Sequence, residues 1–289
     1  MSQTLAPDRV VLGPSSLLWR YAGDTRIGLM GATIGLLQLA YPSLGAGVID
    51  HSDFFDDPMD RVVRSLPSIL GTVYDDDGDG TGHEVRDFHK DIKGRLPEGE
   101  RYHALDPHTF WWAHATFQFM AEQVVDRFDH HRLTRREREQ LYLEGVEWYR
   151  RYGVSERVVP PTRAAFQEEW DRVCADELEM NDAVAFVLKM VQVRTVRPPR
   201  DPNIPPWLRP VLGSLPVRFT VARITKLAAI GGLPPVVREK FGLRWSRRDA
   251  LDLALLEQTV ATTWRFLPPT VRWQPRALEG WQREVGKAP

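Results

Sequence analysis

His89 and His114 are the residues from which chemistry can first be read. In the stretch HTFWWAHATFQFMAEQVVDRF, Phe110, His114, Phe117, Ala121, Val124 and Phe128 recur at spacings of four, three, four, three and four. That is the period of one buried helical face. His114 falls in the middle of this apolar stripe, beside Trp111 and Trp112. In the preceding stretch, HEVRDFHKDIKG, Val85, His89 and Ile92 share a face with Phe88 at its edge. The two stretches, joined by the turn-rich GRLPEGERYHALDP, read as facing helices that each turn one histidine inward. A neutral imidazole in an apolar, aromatic wall is the usual protein ligand of haem iron, the packing supplying a dry pocket. The same pattern also describes a hydrogen-bonded core histidine. Spacing alone leaves both readings open.

Other site chemistries fall away. There is no glycine loop of either common nucleotide-binding kind, no GxSxG and no HExxH. A di-iron carboxylate bundle needs two Glu-x-x-His pairs on helices, and only Glu100 to His103 matches, in a link rich in Gly and Pro. Asp75, Asp77, Asp79 and Gly80 fall at the first, third, fifth and sixth positions of a calcium loop. The twelfth position should be a bidentate Glu and is Arg86, so Asp75 to Glu84 reads as a flexible acidic surface loop. The single cysteine, Cys174, excludes an intramolecular disulfide, a zinc cluster and an iron–sulfur cluster, and fits a reducing cytoplasm. With 38 basic and 39 acidic residues the net charge is −1, and no basic tract carries interleaved aromatics. That removes the electrostatic footprint of a nucleic-acid binder. Ten tryptophans suit a large flat ligand or heavy interhelical packing.

The elements that must position these residues are helical. Residues 1–14 read as a flexible lead and 15–289 as one all-α domain, about ten helices around a single core, with no alternating strand pattern and no repeat. Ile27 to Ile49 holds no charge over 23 positions, long enough to span a bilayer. Pro42 breaks it, and the aromatic belts of a membrane segment are missing. It reads as a buried core hairpin, without stable membrane insertion. The start, MSQTLAPDRVV, lacks the basic-then-apolar pattern of a secretory signal, and the protein is expected in the cytoplasm. Arg20, Asp24 and Arg26 stand at the mouth of that hairpin, where charges need partners. They form either a surface ion-pair cluster or a place for an anionic group such as a haem propionate, and Arg86 beside the first histidine is grouped with them. Pro58 opens a helix carrying Arg61, Arg64 and Ser65, which Pro67 should distort. Thr134 and Glu137 form a capping box. The run from Arg197 to Pro216, with seven prolines in twenty residues, reads as an ordered crossing, a lid or a hinge. A later helix, capped at Ser246, should turn Leu251, Leu255, Thr259 or Val260, and Trp264 inward.

Several of these stretches carry a resemblance. WRYAGDTRIGLMG, LLQLAYPSLGAGVIDHSDFFDDPMDRVVRS, VRDFHKDIKG, YHALDPHTFWWAHATF and PPVVREKFGLRWSRRD are similar to the MpaB-type oxygenases, a family that includes the rubber oxygenases. The likeness runs from about Trp19 to Trp281. It implies an all-α fold with a buried pocket for haem b, and oxidative cleavage by dioxygen of a carbon–carbon double bond in an isoprenoid or other small apolar substrate. His89 matches the family's proximal iron ligand. Arg61, Arg64 and Ser65 match a distal Arg-x-x-Lys-Thr segment, with Arg64 at the lysine position and Ser65 at the threonine position. An amine can ligate iron when neutral, whereas a guanidinium stays charged and does not. The resemblance therefore implies an open or water-bound distal side, with Arg64 a hydrogen-bond donor. His114 recurs in the family's His-Ala-Thr stretch, as a second ligand, a hydrogen-bond partner or the proximal ligand itself. The resemblance implies no oligomeric state.

Overall fold

A helix that is apolar on every side has to be covered, and the second helix of this chain is, except along its Gly28–Gly31–Gly35 face. In the computed structural model, which describes residues 9–56, 58–197, 206 and 209–286 and all their side chains except those of 58–62 and 77, the chain opens with α1 (Leu17–Tyr21) and α2 (Ile27–Leu39). Leu36 and Leu37 of α2 are fully buried. Pro42 starts α3 (Pro42–His51) at an angle of 100° to α2, so the uncharged stretch is two core helices, as the proline predicts. Then come α4 (Pro58–Tyr74), α5 (Thr81–Asp87), the strands β1 (Lys93–Arg95) and β2 (Arg101–His103), and the long α6 (Pro107–Phe128). There follow α7 (Arg135–Arg150), α8 (Arg163–Arg172), α9 (Asp182–Val191), α10 (Arg209–Gly213) and α11 (Leu215–Gly232). The last are α12 (Pro235–Lys240), α13 (Arg247–Thr263), α14 (Pro269–Arg272) and α15 (Pro275–Val285). The faces of α2 pack on α3, α6, α9 and α11. Close approach to α11 is enforced by small residues: Thr33 Oγ1 donates to the carbonyls of Ala228 and Ala229, and a Cβ on Gly232 would fall 2.4 Å from that same oxygen.

The fold is all-α in one domain, with three differences from the sequence expectation. Fifteen helices, not about ten, lie among the described residues, because short ones begin at prolines such as Pro235 and Pro269 that pre-set the first helical turn. The link after His89 is an antiparallel hairpin pairing Lys93 with His103 and Arg95 with Arg101. Its turn runs through Gly99 at a φ of +94°, a conformation that favours glycine. On α13 the apolar stripe is rotated: Leu251 and Leu255 are 72% and 69% exposed, and Leu253 and Ala261 are buried instead. Arg223 of α11 fixes that rotation by pairing with Asp249 at 2.8 Å and Asp252 at 2.7 Å. Most of the proline-rich run, residues 198–205 with 207 and 208, and the first eight residues of the lead lie outside the described residues.

Candidate functional site

His89 is not in the middle of a helix. The α-helix stops at Asp87, and His89 lies in the turn beyond it, half-buried. The turn is pulled from helical geometry by bonds from distant residues: Ala104 N–H donates to Ile92 O at 2.9 Å, His51 Nε2 to Lys93 O at 3.1 Å and His103 Nε2 to Lys90 O at 3.0 Å. His89 Nδ1 lies 2.7 Å from Val85 O, and the Phe110 ring meets the imidazole edge-on at 5.6 Å. A carbonyl can only accept, so Nδ1 carries the proton, and in the neutral ring Nε2 carries the lone pair. This is how a metal-binding histidine is usually held, one nitrogen donating to an oxygen and the other left basic. Val85 O is a backbone atom and leaves no mark in residue type, although its place four residues back is the helical one.

The chain doubles back between α4 and α5, with Gly71 against Thr81: a Cβ there would sit 2.9 Å from Thr81 Cγ2. Arg64 lies on α4 before that contact, and His89 follows Thr81 past the end of α5. Arg64 and Ser65 are exposed, as are two large apolar side chains on these segments, Val63 (64%) and Phe88 (70%). The side chain of Arg61 lies outside the described residues.

His114 belongs elsewhere. It is 2% exposed, and its Nε2 donates to Gly145 O of α7 at 2.8 Å. Trp111, Trp148, Tyr149 and Tyr152 surround the ring at centroid distances of 4.8 to 5.8 Å. Its Nδ1 has no hydrogen-bond partner. Burial pushes the pKa down to about 3, so the ring is neutral at any physiological pH. The remaining arginines are also dispersed. Arg26 is buried and locked on Asp24, with Nη2 2.6 Å and Nε 3.0 Å from Oδ2, and its Nη1 donates to Phe128 O at 2.5 Å. Arg20 is exposed at the end of α1, and Arg86 pairs with Asp87 at 2.7 Å.

The acidic segment is not a surface loop throughout. Asp75 is buried, accepts from Thr81 Oγ1 at 2.8 Å and receives both Nε and Nη2 of Arg276 at 2.8 and 2.5 Å. Three cavities of about 210, 20 and 400 Å³ open elsewhere, none of them lined by His89, Arg64 or Ser65. Among the described residues no single helix is long and apolar enough to cross a membrane.

The fold defines an all-helical protein in which the His89 imidazole is oriented by Val85 O and Phe110. Residues 19–273 match the family described as ER-bound oxygenase mpaB/B'/Rubber oxygenase, catalytic domain, and the chain belongs to that family. Family membership makes it an oxygenase-type oxidoreductase. Comparison with curated proteins, and with solved structures, finds no match.

Proposed function

We propose that the protein is a haem b-dependent oxygenase that cleaves a carbon–carbon double bond in an isoprenoid or other apolar alkene, with His89 as the iron ligand. The observation that carries this reading is the bond from His89 Nδ1–H to Val85 O, the tautomer in which Nε2 is the nitrogen able to ligate a metal. The chemistry of the donor set fits the group. Phe110 limits rotation of the imidazole, Val63 and Phe88 offer apolar surface that a flat macrocycle would cover, and Arg64 and Ser65 supply hydrogen-bond donors. Bound haem would supply the activation of dioxygen. Arg64 cannot ligate iron, because its guanidinium stays protonated; its part is to donate hydrogen bonds beside the cofactor, together with Ser65 and Arg61. On this reading the protein acts in the cytoplasm on a small apolar substrate and dioxygen, without nucleic acid and without stable membrane insertion. Arg26 and Arg86 are engaged with carboxylates, and Arg20, exposed at the end of α1, remains the arginine open to an anionic group of the cofactor.

The test is haem reconstitution of the purified chain, followed by absorbance and by oxygen uptake with an isoprenoid alkene such as squalene. Wild type and His114→Gln show a Soret band, and His89→Ala loses it. Oxygen uptake then depends on both haem and alkene. A wild type without a Soret band refutes the haem assignment; a Soret band without alkene-dependent uptake leaves a non-catalytic haem protein.

A further inference from the structure

The motif from Pro234 to Asp249 carries much of the family resemblance, yet it lies on an open cavity of about 400 Å³ remote from any role in the haem reading. Phe119 of α6 and Trp170 of α8 form one apolar wall, their rings stacked at 4.3 Å. Trp245 and Leu253 form another, drawn so close to Gly231 that a Cβ there would fall 2.6 Å from the indole and 2.4 Å from Leu253. Two guanidinium groups enter between these walls. Arg127 is neutralised by Glu257 at 2.8 Å and also donates to Gln123 at 2.8 Å and Gly231 O at 3.2 Å. Arg238 lies over the Trp245 ring at 5.5 Å and donates to carbonyls, Leu233 O at 2.6 Å and Gly231 O at 3.4 Å. Among the described residues no carboxylate forms an ion pair with Arg238. Partial burial, and then the like charge of Arg127, lower its pKa. Asp171, also on the cavity wall, is bonded to Gln167 at 2.9 Å.

A half-buried cation beside a second cation, with no anion of its own, is an arrangement that an anionic ligand would relieve. We propose that this cavity binds an amphiphile with a single carboxylate head, the head on Arg238 and the apolar body against Phe119, Trp170, Trp245 and Leu253. Glu257 answers Arg127 and Asp171 is held by Gln167, so Arg238 is the cation on this wall without an ion-pair partner among the described residues. The cavity volume falls within the range of about 300–1,000 Å³ usual for small-molecule sites, and its aromatic walls face a polar side. Stacking on Trp245 holds the guanidinium plane, and a held guanidinium edge suits a carboxylate in a two-bonded grip. The assignment rests on neither the haem nor the oxygenase reading.

Isothermal titration of the full chain with decanoate and with decanol, below self-association of either, tests it. Decanoate binds saturably with one site, at least tenfold tighter than decanol, and Arg238→Gln erases the preference for the acid. Ala250 is an exposed position on the cavity wall, so Ala250→Glu adds a competing carboxylate without burying one; it weakens decanoate at least tenfold while the thermal melt is unchanged. Absence of decanoate binding, equal affinity for the alcohol, or undiminished binding by Ala250→Glu overturns the proposal.

Discussion

Replacing His114 with glutamine separates a core histidine from a ligand through the pH dependence of stability. The ring is buried, with a pKa near 3 against about 6.5 for an ordinary histidine, so between those values the unfolded chain binds a proton that the folded chain refuses. Stability is therefore complete above pH 6.5 and falls as the pH drops, by about 1.4 kcal/mol per pH unit. From pH 7 to pH 5 the titrating window covers about 1.5 pH units, so His114 alone removes about 2 kcal/mol. Glutamine keeps an amide donor in reach of Gly145 O but leaves its own oxygen in a dry aromatic box, and at pH 7 His114→Gln is less stable by about 1–3 kcal/mol. At pH 5 the gap closes by about 2 kcal/mol, because the variant has lost the titrating group. Urea denaturation of both proteins at the two pH values measures this difference of differences, in which every other titrating group cancels. Parallel pH profiles would refute the reasoning and mean that the ring is reached by solvent or by another charge.

Two further perturbations follow from the packing. Asp24→Ala leaves buried Arg26 with the partly exposed Asp129, at 3.0 Å, as its carboxylate partner and should destabilise by about 3 kcal/mol, the lower end for breaking a buried pair, while Asp24→Ala with Arg26→Met should recover part of that; denaturant midpoints at pH 7 decide, and equal midpoints for the single and double variants would count against it. Two glycines of opposite kind make a matched pair. A Cβ on Gly82 would lie 2.0 Å from the carbonyl oxygen of Arg151, whereas Gly31 on α2 has nothing within 4 Å. Gly82→Ala should cost about 3 kcal/mol, the upper part of the overpacking range, and Gly31→Ala should stabilise by about 0.5–1 kcal/mol, both readable as shifts in melting temperature.

What the sequence revealed and what it withheld divide along the range of the interactions. Thr134 and Glu137 announce the start of α7 because both halves of a capping box lie within three residues, and both halves are formed. Pro42 announces the break between α2 and α3 for the same local reason. The end of α5 was not legible: Val85, His89 and Ile92 keep helical spacing, but the turn after Asp87 is held by His51, Ala104 and the side chain of His103, up to about forty residues away. On α13, Leu251 and Leu255 look like an inner stripe, yet Arg223 pairs with Asp249 and Asp252 and turns them outward. His89 and His114 occupy equivalent places in the sequence pattern. Their difference comes from two backbone carbonyls, Val85 O and Gly145 O, and no side-chain pattern encodes which carbonyl a ring will meet.

The C-terminal end of α4 is anchored from several directions: Arg151 donates to the carbonyls of Thr72, Val73 and Asp75, Trp19 donates to Val73 O, and Tyr74 is fully enclosed with its hydroxyl on Trp19 O. Residues 63–65, toward the other end, are exposed, and Pro67 between the two ends has no N–H to close the rung to Val63 O. The root of the helix is thereby fixed independently of the stretch before Pro67. Arg64 and Ser65 precede Pro67 and are exposed, so side chains there can be exchanged with the clamped root and the core beneath it left undisturbed.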